Sequence, residues 1–214
     1  MRTHLLALGA ALLLAASACS TQDEAESTSP KTPTATHLAG SELRSSLLTL
    51  DDMVEPGFIQ TDADEDRART YFCDYEPPAT PTDTYMTEFE KTDKTSFSLV
   101  RSVADEFESA DDAKAQIAAA AKTLETCDSA TVAGAKQTYS VVSAPDLGDR
   151  ALAVKIETTV NDVPVVMHQV FVQSANAILQ TSTAVGGTET GDADAVAALA
   201  TAQAEKLATA GDQG

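Results

Sequence analysis

Leu152-Ala153-Val154-Lys155-Ile156-Glu157-Thr158 is the stretch whose reading decides the fold. Leu152, Val154, Ile156 and Thr158 share one parity, and Ala153, Lys155 and Glu157 share the other. Such alternation puts one set of side chains on each face of a strand. Asn161-Asp162 follows as a hairpin turn. Val163 to Gln173 and Asn176 to Val185 predict two further strands around a turn at Ser174-Ala175-Asn176. Upstream, Tyr139 and Val141 mark a strand over Gln137 to Ser143, joined through the turn Pro145-Asp146-Leu147-Gly148-Asp149. Four successive strands with short connections predict an antiparallel meander.

Helices flank this meander. Ser109-Ala110-Asp111-Asp112 is a capping-box variant, and Ala113, Ile117, Ala120, Ala121 and Leu124 recur behind it at helical spacing. After Gly186-Gly187 and Gly191 break the strand pattern, Asp192 caps a last helix carrying Val196, Leu199, Ala200 and Leu207. Ser96 to Phe107 predicts a half-buried strand, with Phe97, Leu99, Val103 and Phe107 on one parity, interrupted by Arg101. Thr70-Tyr71-Phe72-Cys73-Asp74-Tyr75 reads as a strand by its aromatic content, and Pro77, Pro78 and Pro81 force a loop. A short helix capped at Thr49-Leu50-Asp51-Asp52 opens the domain and ends at Pro56-Gly57. Phe58-Ile59 begins an edge strand. The fold class is α+β: a single antiparallel sheet, a meander in its C-terminal half, with the two longer helices on one face and the other face partly open. One domain over 41–210 fits the ordinary size range, followed by a tail at 211–214.

Residues 1–18 have the parts of a secretory signal: Arg2, an apolar Leu/Ala run over Leu5 to Ala16, and small residues before Cys19. The run is shorter than the roughly 20 apolar residues that cross a bilayer. Ala15-Ala16-Ser17-Ala18-Cys19-Ser20 resembles a bacterial lipoprotein signal, in which the cysteine is acylated with palmitate-type chains and becomes the new N-terminus. Ordinary signal-peptide cleavage, with Cys19 incidental, is the competing reading. Residues 19–40 are rich in Ser, Thr, Pro and Glu. They bury too little apolar area to offset ordering entropy, so they are expected to form a disordered tether. The lipoprotein reading places the domain on the outer face of the plasma membrane.

The chain has three cysteines. With Cys19 assigned to lipid, Cys73 and Cys127 remain, and outside the cytoplasm such a pair forms a disulfide. The closed loop of roughly fifty residues contributes about 4 kcal/mol in the chain-entropy model. A structural zinc site would need four suitable ligands, which are absent.

Fourteen basic residues face 33 acidic ones, a net charge of −19, and loss of Arg2 with the signal would make the mature chain more acidic. Phosphate backbones are repelled, which argues against nucleic acid as a partner. Docking of the protein surface on anionic lipid is disfavoured likewise.

Catalytic chemistry finds little support. His4 lies in the signal and His37 in the tether, leaving His168 as the histidine of the domain. It sits mid-strand, without a Gly-x-Ser-x-Gly nucleophile motif. Gly186-Gly187 lacks the Lys-Ser/Thr of a phosphate loop. Asp62, Asp64 and Asp66 match the first ligands of a calcium loop, but Arg67 and Cys73 stand where glycine and the bidentate glutamate belong. The expectation is a non-enzyme with no metal and no cofactor. The competing class, a carboxylate-dependent hydrolase, has acids to draw on but no defined pair.

The chain also resembles the extracellular sensor-domain family found at the C-terminus of the actinobacterial PknH-type kinase and in free lipoproteins. The residues that carry this are Leu47-Leu48-Thr49-Leu50-Asp51-Asp52-Met53, Pro56-Gly57-Phe58, and Val103-Ala104-Asp105-Glu106-Phe107-Glu108-Ser109-Ala110-Asp111-Asp112-Ala113. Cys127, Asp146-Leu147-Gly148-Asp149-Arg150 and Val172-Gln173-Ser174-Ala175-Asn176-Ala177-Ile178 complete the set. The resemblance implies one antiparallel sheet packed by helices and a cleft for an external ligand. Members commonly hold two disulfides, where this chain has cysteines for one, and the family's frequent Trp residues are missing here. The expected function is a lipid-anchored extracytoplasmic ligand-binding or sensor domain of the cell envelope. Its cleft would lie between the sheet and the loops near Pro77–Pro81 and Pro145–Asp149. The alternatives are a lipid or glycolipid carrier and an interaction module without a pocket. Expected partners are the membrane, through the anchor, and an envelope protein or a small-molecule or lipid ligand.

Overall fold

The computed structural model describes residues 37–62, 72–73, 75–132, 134–187 and 191–211. The signal, Cys19, most of the tether, the acidic run from Ala63 to Asp66 and the last three residues lie outside the described residues.

Among the described residues, eight strands form one antiparallel sheet. They are β1 (Ile59–Thr61), β2 (Asp83–Thr92), β3 (Ser96–Glu106), β4 (Ser129–Val132), β5 (Ala135–Val142), β6 (Arg150–Val160), β7 (Val163–Ser174) and β8 (Ala177–Gly187). Three α-helices accompany them: α1 (Gly40–Ser46), α2 (Ala110–Thr126) and α3 (Ala193–Gly211). The strand order is β1-β2-β3-β8-β7-β6-β5-β4. The run from β4 to β8 is a meander, and β8 then pairs with β3 over its whole length, from Ser96 opposite Gly187 to Glu106 opposite Ala177. The whole sheet is therefore not a simple meander. β3 and α2 come first in the chain, and the meander closes back onto β3.

Local chemistry accounts for the turns and caps. Asn161 and Asp162 both take positive φ, 50° and 64°, the geometry of the two-residue hairpin turn that matches strand twist. The Ser109 hydroxyl accepts from the Asp112 amide at 3.1 Å and starts α2. Thr49 donates its amide to the Asp52 carboxylate at 2.7 Å, which caps a 3-10 turn over Leu50–Asp52. The predicted opening helix is thus a single turn, preceded by α1.

The helices do not share a face, contrary to the sequence expectation. On β7, Val170 and Val172 pack with Val196, Ala200 and Leu207 of α3. Met167 and Phe171, of opposite parity, pack with Ala113, Ile117 and Ala120 of α2. On β8, Leu179 joins the α3 cluster and Ile178 the α2 cluster. Since successive side chains alternate across a strand, α2 covers one face, and α3 with α1 covers the other. The physical reason lies in β8, whose residues from Ala177 to Ala184 are all buried. A strand buried on both sides needs a cover on both sides.

Two further expectations change. Phe72 and Tyr75 belong to a loop rather than a strand, and Cys73 sits at φ 56°. Their aromatic rings serve packing: Phe72 is buried, stacks on Tyr75 at 5.5 Å and meets Tyr139 at 6.1 Å. The long strand β2 was not anticipated. Its residues Asp83 to Thr92 carry four charged side chains. Tyr85 and Phe89 nonetheless alternate inward, and Arg101 neutralises Glu88 at 2.6 Å across the ladder.

Candidate functional site

The candidate site lies on the α2 face, where a loop crosses above the sheet. Register fixes the floor. Asp105 stands opposite Ile178, and Val103 opposite Gln180, which stands opposite Phe171, itself opposite Leu152. Cross-strand partners share a face, so Asp105, Gln180, Phe171, Ile178 and Leu152 line one surface. α2 supplies a wall through Gln116, Ile117 and Ala120, and Phe72, Tyr75 and the Pro77–Pro81 loop form the roof. Between them is a cavity of about 260 Å³.

The roof is pinned at two places. The structure joins Cys73 to Cys127, the residue just past the end of α2, with their Cα atoms 6.3 Å apart. Tyr75 donates its hydroxyl to the Gln116 carbonyl at 3.1 Å. Both ties run from roof to wall, so the cavity is held open between covalent and hydrogen-bonded struts. The prolines of the loop restrict the backbone further.

Polar groups in the cavity are few and specific. Asp105 accepts from the Thr84 hydroxyl at 2.6 Å. Gln180 is buried, and its Nε2 has no hydrogen-bond partner. The Oε1 of Gln116 is also buried and unpaired. Tyr75 and Thr80 add two hydroxyl-bearing side chains, and the rest of the lining is apolar, including Phe72, Phe171, Ile117, Leu152 and Ile178. An apolar pocket with a few placed polar groups is the usual form of a small-molecule site.

The predicted cleft divides in two. The Pro77–Pro81 loop does line the cavity. The Pro145–Asp149 turn does not; its Gly148 lines a separate groove of about 430 Å³ on the α3 face, with Leu38, Val172, Leu179 and Leu207. That turn is held by Asp149, whose carboxylate accepts from the Ala175 amide at 2.9 Å. Gly148 has φ 59°, and a side chain there would run into the Gln173 carbonyl.

His168 has the parity of Val170, so it lies on the α3 face, away from the cavity. Burial lowers its pKa, and the Lys155 charge acts in the same direction; Asp192, the Gly191 backbone and Glu157 oppose them. The cavity residues Gln116 and Gln180 were not singled out from the sequence. The available signal was polar side chains at inward positions: Gln180 within the apolar run Ala177-Ile178-Leu179, and Gln116 beside Ile117 on the packed side of α2.

No family model matches the chain, and no curated protein sequence matches it. Among solved structures there is a match. The fold is similar to that of the extracellular domain of PknH from Mycobacterium tuberculosis. The TM-score is 0.60 at 12% identity, over 82% of this chain and 99% of that domain. At this identity the likeness is one of fold: a single antiparallel sheet dressed by helices. No helix among the described residues is long and apolar enough to cross a membrane.

Proposed function

We propose that this chain is an extracytoplasmic, non-enzymatic ligand-binding domain of the cell envelope, lipid-anchored through Cys19 to the outer face of the plasma membrane. The observation that carries the reading is the cavity between α2, the sheet and the Phe72–Pro81 loop, whose roof is bonded to its wall. A surface that served only as an interaction module would have no need of a cavity roofed by a bonded loop. The Cys73–Cys127 bond suits an oxidising compartment, and the fold likeness to an extracellular domain agrees with that setting. The non-enzymatic part rests on the position of His168, which is across the sheet from the cavity. The acidic surface, with a net charge of −19, supports a role without nucleic acid.

Two measurements test this. Cys19→Ala should release the protein from the membrane fraction and abolish labelling by an acyl probe; retention of the variant at the membrane would defeat the anchor. For the cavity, low-molecular-weight envelope extract should raise the melting temperature of the purified protein. Ala120→Leu, which fills the cavity from the wall, should remove that rise. A rise that survives Ala120→Leu would place the ligand elsewhere.

A further inference from the structure

We infer that the cavity takes an uncharged amide carried on an apolar ring or chain; this deepens, and rests on, the ligand-binding reading above. Two buried polar atoms in the site lack partners, the Gln180 Nε2 on the floor and the Gln116 Oε1 on the wall. Gln180 is only 6% exposed, so its Nε2 faces the cavity rather than the outer surface. Leaving a buried donor or acceptor unmade costs roughly 1–3 kcal/mol each, and folded proteins keep few of them. One is a donor and the other an acceptor. A ligand amide carries the matching pair, a carbonyl to accept from Gln180 and an N–H to donate to Gln116.

The rest of the lining selects the body of the ligand. Phe72, Phe171, Ile117 and Leu152 offer apolar contact, and a single substituted ring fits a space of about 260 Å³. Charge selects the head. A ligand carboxylate would be set against Asp105, in a chain whose net charge is −19, and it has no N–H for Gln116. An ammonium suits Asp105 but offers nothing to the Gln180 donor. A hydrocarbon leaves both glutamines unpaired. A site built to hydrogen-bond a polar group discriminates strongly against analogues that lack it.

The test is an NMR titration of the purified protein with four probes of similar shape: benzamide, benzoate, benzylamine and toluene. Benzamide should shift the side-chain resonances of Gln180 and Tyr75 and bind at least about tenfold more tightly than each of the others. Gln180→Met and Gln116→Met should each weaken benzamide about tenfold and leave toluene unchanged. If Gln180→Met fails to fold, Gln116→Met on the half-buried wall helix decides alone. Benzoate, benzylamine or toluene matching benzamide at these resonances would overturn the amide inference and leave the cavity a ligand site of another class. Silence from all four probes would overturn the amide inference, while the ligand site itself stands or falls on the extract-induced rise that Ala120→Leu removes.

Discussion

Cys73, in the roof of the cavity, is bonded to Cys127, the residue that ends the wall helix α2. The bond spans 54 positions of sequence. It holds a left-handed backbone position at Cys73 against the end of a helix, where no regular ladder could reach. Substituting both cysteines by serine should lower the unfolding free energy by about 4 kcal/mol, the chain-entropy value for a loop of this length. Urea unfolding of the oxidised protein and the variant measures it. A thiol count in the unreduced, unfolded protein should find neither cysteine free.

Gln203 of α3 is fully buried and ties the helix to the sheet. It donates to the Val103 carbonyl at 2.9 Å and accepts from the Thr181 hydroxyl at 2.6 Å. Gln203→Leu strands both partners and should cost roughly 2–4 kcal/mol. Adding Thr181→Val removes one stranded group, so the double variant should be more stable than the two single losses sum to. A double-mutant cycle by chemical denaturation gives the coupling.

Asn176 joins three parts of the domain at the β7–β8 turn. Its carboxamide accepts from the Leu38 amide at 2.8 Å and donates to the Phe107 carbonyl at 3.1 Å, both buried. The Leu38 end of the domain, the junction of β3 with α2, and the turn itself therefore meet at one side chain. Asn176→Ala should cost roughly 2–4 kcal/mol. Hydrogen exchange should show the amide of Leu38 losing protection first.

His168 predicts a pH dependence. Its folded pKa lies below 6.5, chiefly through burial and then through Lys155. The neutral ring is the form the fold favours, so the unfolded chain binds the extra proton first as pH falls. This contribution is complete above about pH 6.5, the unfolded value. It is lost as the pH drops through the folded value. Asp192 and Glu157 face the ring and limit the effect. Unfolding free energies at pH 7.5 and 5.5 should differ more for the native protein than for His168→Gln, and equal differences would count against the assignment.

The elements that were legible in the sequence are those whose signal is local. The alternation of Leu152 to Thr158, the Asn161-Asp162 turn and the Ser109 cap each act within a few residues, and each forms where read. β2 escaped because its inward residues Tyr85 and Phe89 are sparse among polar and charged ones, and the partner of a charge such as Glu88, Arg101, comes from another strand. The Phe72–Tyr75 segment misled because aromatic residues signal burial as much as strand. Here their rings pack as a loop against Tyr139.

The sequence by itself determined that a meander, two long helices and one pair of cysteines would build an α+β domain, because periodicity, caps and turns are short-range. Only the tertiary structure decided that α2 and α3 take opposite faces, that β8 returns to β3, and that Gln116, Gln180, Phe72 and the Pro77–Pro81 loop line one cavity. These depend on contacts between residues far apart in the chain, and no local pattern encodes which distant surface a buried side chain will meet.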